Sequence, residues 1–212
     1  MKKIISETKR QEQANEVKNA MLESFVNTFN KIKRNDDAEI IVEAVKKNSI
    51  EQKARLSNGI TAILNKQIEN ELYSSQVYRA FSAWLDDEGW IGGSALFFKY
   101  ADEELGHMSK IYTYLYEKNA KAIVPNVKNV PVNFNNVRDV VAKALEREMK
   151  VTKNWNDIAN KAKGEDDNDT YSFALGYVNE QREEEEKIRN ILFSMDLDMP
   201  KWKIDEMFRN LL

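Results

Sequence analysis

The sequence predicts an all-α fold, a bundle of four long helices, and three observations lead there. Across 212 residues glycine and proline are scarce, 7 and 3 in number, and Pro125, Pro131 and Pro200 all fall between stretches of helical periodicity rather than inside them. Apolar residues recur at seven-residue spacing in four segments, which marks the core-facing seam of a long helix in a bundle. The links between these segments run short, long, short, so the chain makes a hairpin, a crossover and a second hairpin. A short fifth helix at the C-terminus and a helical N-terminal extension complete the expected architecture.

Residues 1–56 read as the extension. Ala14, Val17, Met21, Phe25, Phe29 and Ile32 trace one amphipathic helix, and Ile40 to Val45 a shorter one. The segment holds 12 basic and 9 acidic residues against 20 and 26 in the remainder, a mildly basic arm on an acidic body. It reads either as a docking arm for a protein partner or as a pad over an apolar patch. The bundle occupies residues 57–212. Its first helix starts after Ser57-Asn58, good capping residues, and runs to Leu85 before the turn Asp86-Asp87-Glu88-Gly89. The second spans about Gly93 to Lys118. The stretch KNAKAIVPNVKNVPVNF, with two prolines and no helical period, is an extended crossover. A third helix runs from near Asn136, with Asp139 as its capping partner, to about Lys163, where Gly164 stops it. The acidic turn Glu165 to Asp169 caps the fourth, which reaches about Phe193. After Pro200, Trp202, Ile204, Met207, Phe208 and Leu211 outline the short fifth helix.

Composition excludes several function classes. The formal net charge is −3, with both signs abundant, so no general electrostatic grip on nucleic acid or anionic membrane is expected. The absence of cysteine removes disulfides, zinc ribbons and thiol catalysis. The N-terminal MKKIISETKRQ has no apolar core of a signal peptide, and no apolar run approaches the roughly 20 residues of a spanning helix, so the expected location is the cytoplasm. Gly92-Gly93 lacks the preceding strand and the spacing of a phosphate loop.

The seams carry the chemistry. The first helix reads Leu64, Glu71, Tyr78, Leu85; the second reads Phe97, Glu104, Ile111 beside Tyr100, His107, Tyr114. The third reads Val141, Glu148, Trp155, and the fourth Ala174, Gln181, Ile188 beside Tyr177, Glu184, Ile191. Each polar intruder lies about 11 to 13 residues after its helix begins, so at about 1.5 Å per residue all of them reach one level in the bundle. Burying carboxylates without partners costs several kcal/mol per ion, far more than a surface charge pair returns. Glu71, Glu104, Glu148 and Glu184 carry about four negative charges if ionised, which two divalent cations offset, with the single histidine, His107, as a neutral nitrogen ligand. Oxygen-rich ligands with one imidazole suit iron(II) or manganese(II), and zinc binds such a set too. Glu185 and Glu186 read as solvated or paired with Lys187 and Arg189, and Trp84, Trp90, Trp155, Trp202 and the Tyr112 to Tyr116 cluster as packing.

The segments LNKQIENELYSSQVYRAFSAWL (Leu64 to Leu85), ADEELGHM (Ala101 to Met108), EREMKVT (Glu146 to Thr152) and GYVNEQREEEEKI (Gly176 to Ile188) resemble those of bacterial non-haem ferritins, over about residues 56 to 196. The resemblance implies a ferritin-like four-helix bundle and iron storage with ferroxidase activity at a di-iron centre, using O2 or H2O2. Glu71, Glu104, His107 and Glu148 fall on that family's iron ligands, Gln181 on its amide at the second iron and Tyr78 on the tyrosine beside the centre. Glu103, Glu180, Glu183 and Glu184 match positions that form or border a third iron site. A homo-oligomeric cage of about 24 subunits is implied as well.

The fourth helix separates this chain from related di-metal proteins. Rubrerythrins and bacterioferritins repeat Glu-x-x-His there, whereas this chain reads Gln181-Arg182-Glu183-Glu184. Leu105 stands where the methionine ligand of a bacterioferritin haem would be, so no haem is expected. A DNA-protecting mini-ferritin takes histidines from its first helix, which has none here. Gly176 stands where bacterial ferritins often carry an aromatic. Tyr78, on the face of Glu71, reads as an electron donor or as a core tyrosine satisfied by a carboxylate. The rival to storage is a structural or packaging protein of the same fold, whose residues 1–56 dock to a partner and whose site turns over little.

Overall fold

The computed structural model describes residues 55–212 and, within the extension, residues 19, 20, 22–24 and 26, which are helical. All six residues of the expected amphipathic stripe, Ala14, Val17, Met21, Phe25, Phe29 and Ile32, and the helix expected over Ile40 to Val45, lie outside the described residues. The chain divides into two compact units, Met1–Lys53 and Ala54–Leu212.

In the second unit the elements are α1 (Asn58–Asp87), α2 (Ile91–Glu117), α3 (Val137–Gly164), α4 (Asn168–Asp196) and α5 (Lys201–Arg209). Side-chain capping sets three of the starts. Ser57 accepts from the Ile60 amide, Asn136 from Asp139 and Asp167 from Thr170, each satisfying an amide that has no partner within its own helix. The ends run further than the hydrophobic pattern suggested, α1 to Asp87 and α4 to Asp196. At the α1–α2 turn Gly89 takes φ 70°, and Trp90 N donates to Leu85 O at 2.8 Å, closing the hairpin.

α1 pairs with α2, α3 with α4, and α1 also packs on α3. The start of the crossover over residues 118–136 is pinned to α1 through Asn65. Asn65 donates to Lys121 O at 2.8 Å and accepts from Ile123 N at 2.7 Å. Phe134 anchors its far end, edge-on to Phe81 and Trp84. α5 lies against the start of α2, where Asp205 Oδ1 accepts from Gly92 N at 2.8 Å and Gly93 N at 3.2 Å. α2 has no side-chain cap of its own, so Asp205 supplies one from the other end of the chain. Trp202, expected to pack, is 67% exposed, while Ile204 and Phe208 carry the buried face of α5.

The core is two apolar clusters. One gathers Leu64, Ile68, Ile111, Val151, Trp155 and Tyr177; the other gathers Tyr78, Phe81, Phe97, Val141, Ala144 and Ile188. Between them runs a polar belt, with Glu71, Glu104, Glu148 and Gln181 each interrupting its own helix's apolar face. No helix among the described residues is long and apolar enough to cross a membrane.

Candidate metal centre

Each helix delivers its intruder to the belt because the residues on either side of it are locked in the core. Glu71, Glu104, His107, Glu148 and Gln181 are all at most 4% exposed. Ligand atoms of Glu71, Glu104 and His107 lie within 4.8 Å of one another, close enough for a single cation to be drawn between them. His107 Nδ1 sits 3.5 Å from Glu104 Oε2, and its Nε2 is hydrogen-bonded to Glu180 Oε1 at 3.1 Å. A neutral ring with its Nε2 proton directed at Glu180 would present the Nδ1 lone pair to the centre.

Three of the carboxylates, Glu71, Glu148 and Glu184, accept through one oxygen each. Gln67 donates to Glu71 Oε1 at 2.8 Å and Trp155 Nε1 to the same oxygen at 3.2 Å. Tyr78 donates its hydroxyl to Glu148 Oε1, and Gln181 donates its amide to Glu184 Oε2. The remaining atoms of the ring, Glu71 Oε2, Glu104 Oε2, His107 Nδ1, Glu148 Oε2 and Gln181 Oε1, are buried with no hydrogen-bond partner among the described residues. Orphaned buried polar atoms are rare in native interiors, and here one occurs on each of five neighbouring side chains of ligand type.

Electrostatics follow the crowding. Burial, then the charge of Glu104, raises Glu71 well above the ordinary carboxylate range, and burial with the charge of Glu148 does the same to Glu104. Glu148 is pushed up to about 7 by burial, against the pull of the Tyr78 hydroxyl. Glu184 is raised to about 8 by burial and by Glu148. For His107 burial favours the neutral ring, but its hydrogen bond to Glu180 and the charges of Glu71, Glu180 and Glu184 prevail and raise it. Glu180 is correspondingly lowered by His107. Near neutral pH such a ring holds protons that a divalent cation displaces.

The remaining acids divide. Glu180 joins the centre through His107 although its side chain is 44% exposed, and Glu103 is half-exposed beside Lys99 at 3.8 Å. Glu183 is exposed and is not brought to the cluster. Glu185, expected to be solvated or paired, is paired with Arg189 but buried, accepting from Thr152 of α3. It lies four residues after Gln181, so the α4 face turns towards α3 through Glu185 as well as through Glu184.

Sequence reasoning missed three supporting residues. Gln67, one turn before Glu71, was hidden among the polar residues of α1. Trp155 stood on the α3 seam but read as packing, whereas its N–H reaches a candidate ligand and its ring stacks on Tyr177, with centroids 3.9 Å apart. Tyr177 in turn meets the His107 ring edge-on at 5.3 Å. Arg147, beside Glu148, is buried and donates from Nε to Ser74 Oγ at 2.6 Å and from Nη2 to Asn70 O at 2.7 Å. A basic residue next to a glutamate on a helix ordinarily marks a solvated face, and no sequence signal distinguished this one.

Comparison with known proteins agrees with this architecture. The ferritin-like domain family model matches residues 61–197. A probable bacterial non-heme ferritin-like protein of Haemophilus influenzae is 33% identical over 137 residues, covering 65% of this chain and 83% of its own length. The bacterial non-heme ferritin of Campylobacter jejuni is 34% identical over 142 residues, 67% of this chain and 85% of that one. Among solved structures, an open pore ferritin from the archaeon Archaeoglobus fulgidus superposes with a TM-score of 0.71 at 27% identity, covering 74% of this chain and 98% of that one.

Proposed function

The chain belongs to the ferritin-like family, and from that premise we propose that it stores iron, oxidising ferrous ions at a dinuclear centre inside each bundle and passing ferric iron into a cage built of like subunits. The observation that carries this reading is the set of five buried, unpartnered ligand atoms on Glu71, Glu104, His107, Glu148 and Gln181. Among the described residues none of them has a hydrogen-bond partner, and a pair of cations would supply one for each.

In this reading Glu71, Glu104 and His107 take one ferrous ion, and Glu148 and Gln181 serve the second, with a carboxylate shared between the two. Hydrogen bonds to one oxygen of Glu71 and of Glu148 leave the other oxygen of each directed to metal. Gln181 contributes a neutral carbonyl oxygen, so the second site is weaker than an all-carboxylate one and releases its ion more readily. Each ferrous ion gives up one electron. Dioxygen accepts both, with two protons, to give hydrogen peroxide; alternatively hydrogen peroxide accepts both, with two protons, to give two waters. Carboxyls displaced from their protons by the incoming ions are a local source of those protons.

Glu184 and Glu180 border the centre through Gln181 and His107, and with Glu103 they form the acidic exit by which iron moves towards storage. Tyr78, hydrogen-bonded to Glu148, orients that ligand and is close enough to supply a further electron. Assembly into a homo-oligomeric cage of about 24 subunits gives the mineral its enclosure. Stopped-flow absorbance after aerobic mixing with ferrous iron tests the proposal. A fast ferric signal is expected from the wild type and its loss from Glu104→Ala combined with His107→Ala. Equal signals in both, or none in the wild type, would overturn it.

A further inference from the structure

Four acidic side chains crowd the centre, yet one cation is already built into the same level of the bundle. Arg147 is 7% exposed, and its guanidinium is tied across the α1–α3 contact to Ser74 Oγ and to the Asn70 carbonyl. Ser74 lies three residues after Glu71 and four before Tyr78, so the tether fixes the positive charge on α1 between a candidate ligand and the hydroxyl that holds Glu148. Tyr73 covers the guanidinium, whose carbon lies 4.9 Å from its ring centre. Ser74 is itself fully buried, so little water screens this charge from the ring. Asn70, whose carbonyl accepts from the guanidinium, immediately precedes Glu71, and Arg147 itself immediately precedes Glu148, so the charge is anchored beside two of the candidate ligands.

We infer that Arg147 is a resident countercharge for the metal centre. It keeps the metal-free bundle folded by offsetting part of the buried negative charge, and it holds the site's affinity for divalent cations below what the ligands alone would give. The two effects share one cause. A fixed cation stabilises carboxylates when no metal is present and repels the metal when it arrives. A centre that must take ferrous ions in and let ferric ions go benefits from being weak, and Arg147 supplies that weakness without occupying a ligand position.

The inference rests on the reading of this ring as a metal centre, and the sign of the effect separates the two. The experiment is anaerobic titration calorimetry with Mn(II) on the wild type, Arg147→Gln and Arg147→Lys. Once the protons released on binding are accounted for, by titrating in buffers of different ionisation enthalpy, loss of the charge should tighten Mn(II) binding to the deprotonated ring by about tenfold while lowering the melting temperature of the metal-free protein, whereas Arg147→Lys, which keeps the charge, stays within about threefold of wild type. A purely structural role predicts the opposite sign, because a loosened site binds metal more weakly. Equal or weaker binding by Arg147→Gln would overturn the inference while leaving the metal centre standing. Absence of Mn(II) uptake by the wild type would remove both. Should Arg147→Gln fold only with metal, saturating Mn(II) must rescue it, and failure to do so also overturns the inference.

Discussion

Trp155 donates its indole N–H to Glu71 Oε1 at 3.2 Å, and the other oxygen of the same carboxylate, Glu71 Oε2, has no hydrogen-bond partner. The second donor to Oε1, Gln67, completes a cradle that fixes which oxygen faces the centre. Because the Trp155 ring also stacks on Tyr177, and Tyr177 abuts His107, one stacked aromatic pair braces two side chains of the Glu71, Glu104, His107 group.

Trp155→Phe keeps an aromatic ring for Tyr177 but removes the donor to Glu71. A hydrogen bond to a charged group contributes about 1.5–3 kcal/mol, so divalent-metal affinity should fall roughly tenfold or more. Co(II) titration followed by its visible absorption checks this, and unchanged affinity would show that the indole N–H does not hold Glu71 for metal.

Tyr78→Phe strips Glu148 of the hydroxyl that favours its ionised form, so the Glu148 carboxyl, already pushed up to about 7, moves further up. Iron oxidation by the variant should then be slowed more at pH 6.5 than at pH 8, where Glu148 ionises regardless. A deficit that is equal at both pH values would assign Tyr78 to electron donation rather than to control of Glu148.

The metal-free protein should lose stability as pH rises. Glu71, Glu104, Glu148 and Glu184 are all raised in the folded state, so from about pH 4.5 upwards the folded chain binds more protons than the unfolded one, and the unfolding free energy falls through the range in which Glu148, at about 7, and Glu184, at about 8, ionise. His107, also raised, adds to the same slope. The surface acids Asp139, Glu165, Asp169 and Asp196 are lowered by their basic or amide partners, and they act in the opposite sense only at lower pH. Scanning calorimetry in chelator should therefore give a lower melting temperature at pH 8 than at pH 6, with the order reversed under saturating Mn(II), whose binding displaces those protons. A metal-free melting temperature that rises over this range would contradict the buried ring.

Gly92→Ala should release α5. A Cβ at Gly92 would sit 2.2 Å from the Asp205 carbonyl oxygen and 2.8 Å from the Arg209 side chain, so the short helix must shift and its hydrogen bonds to the start of α2 weaken. A cost of about 1–3 kcal/mol is expected. Faster hydrogen exchange at the Gly92 and Gly93 amides, with the iron oxidation rate intact, is the predicted signature.

What the sequence revealed and what it concealed both have physical reasons. Glu71, Glu104, Glu148 and Gln181 were legible because each breaks a seven-residue apolar seam at the same depth, and the structure buries all four between two core clusters. Ser57 and Asn136 were legible as caps because capping is local. Arg147 was not, since its partners Ser74 and Asn70 lie more than seventy residues away and only packing reveals that its guanidinium points inward. Asp205 was concealed in the same way, capping a helix 112 and 113 residues earlier. The pairing of Glu185 with Arg189 was legible, but its burial against Thr152 was not, because a run of four glutamates spans about one helical turn and the run alone does not say which of them faces α3.

In the proposed function the anionic ring holds paired ferrous ions. Anaerobic titration calorimetry with ferrous iron tests it most directly, on the wild type and on Glu104→Ala combined with His107→Ala. The account predicts uptake of two ions per chain by the wild type and loss of that uptake in the double variant. Wild-type protein that takes up no ferrous iron, or a double variant that takes up as much, would contradict it.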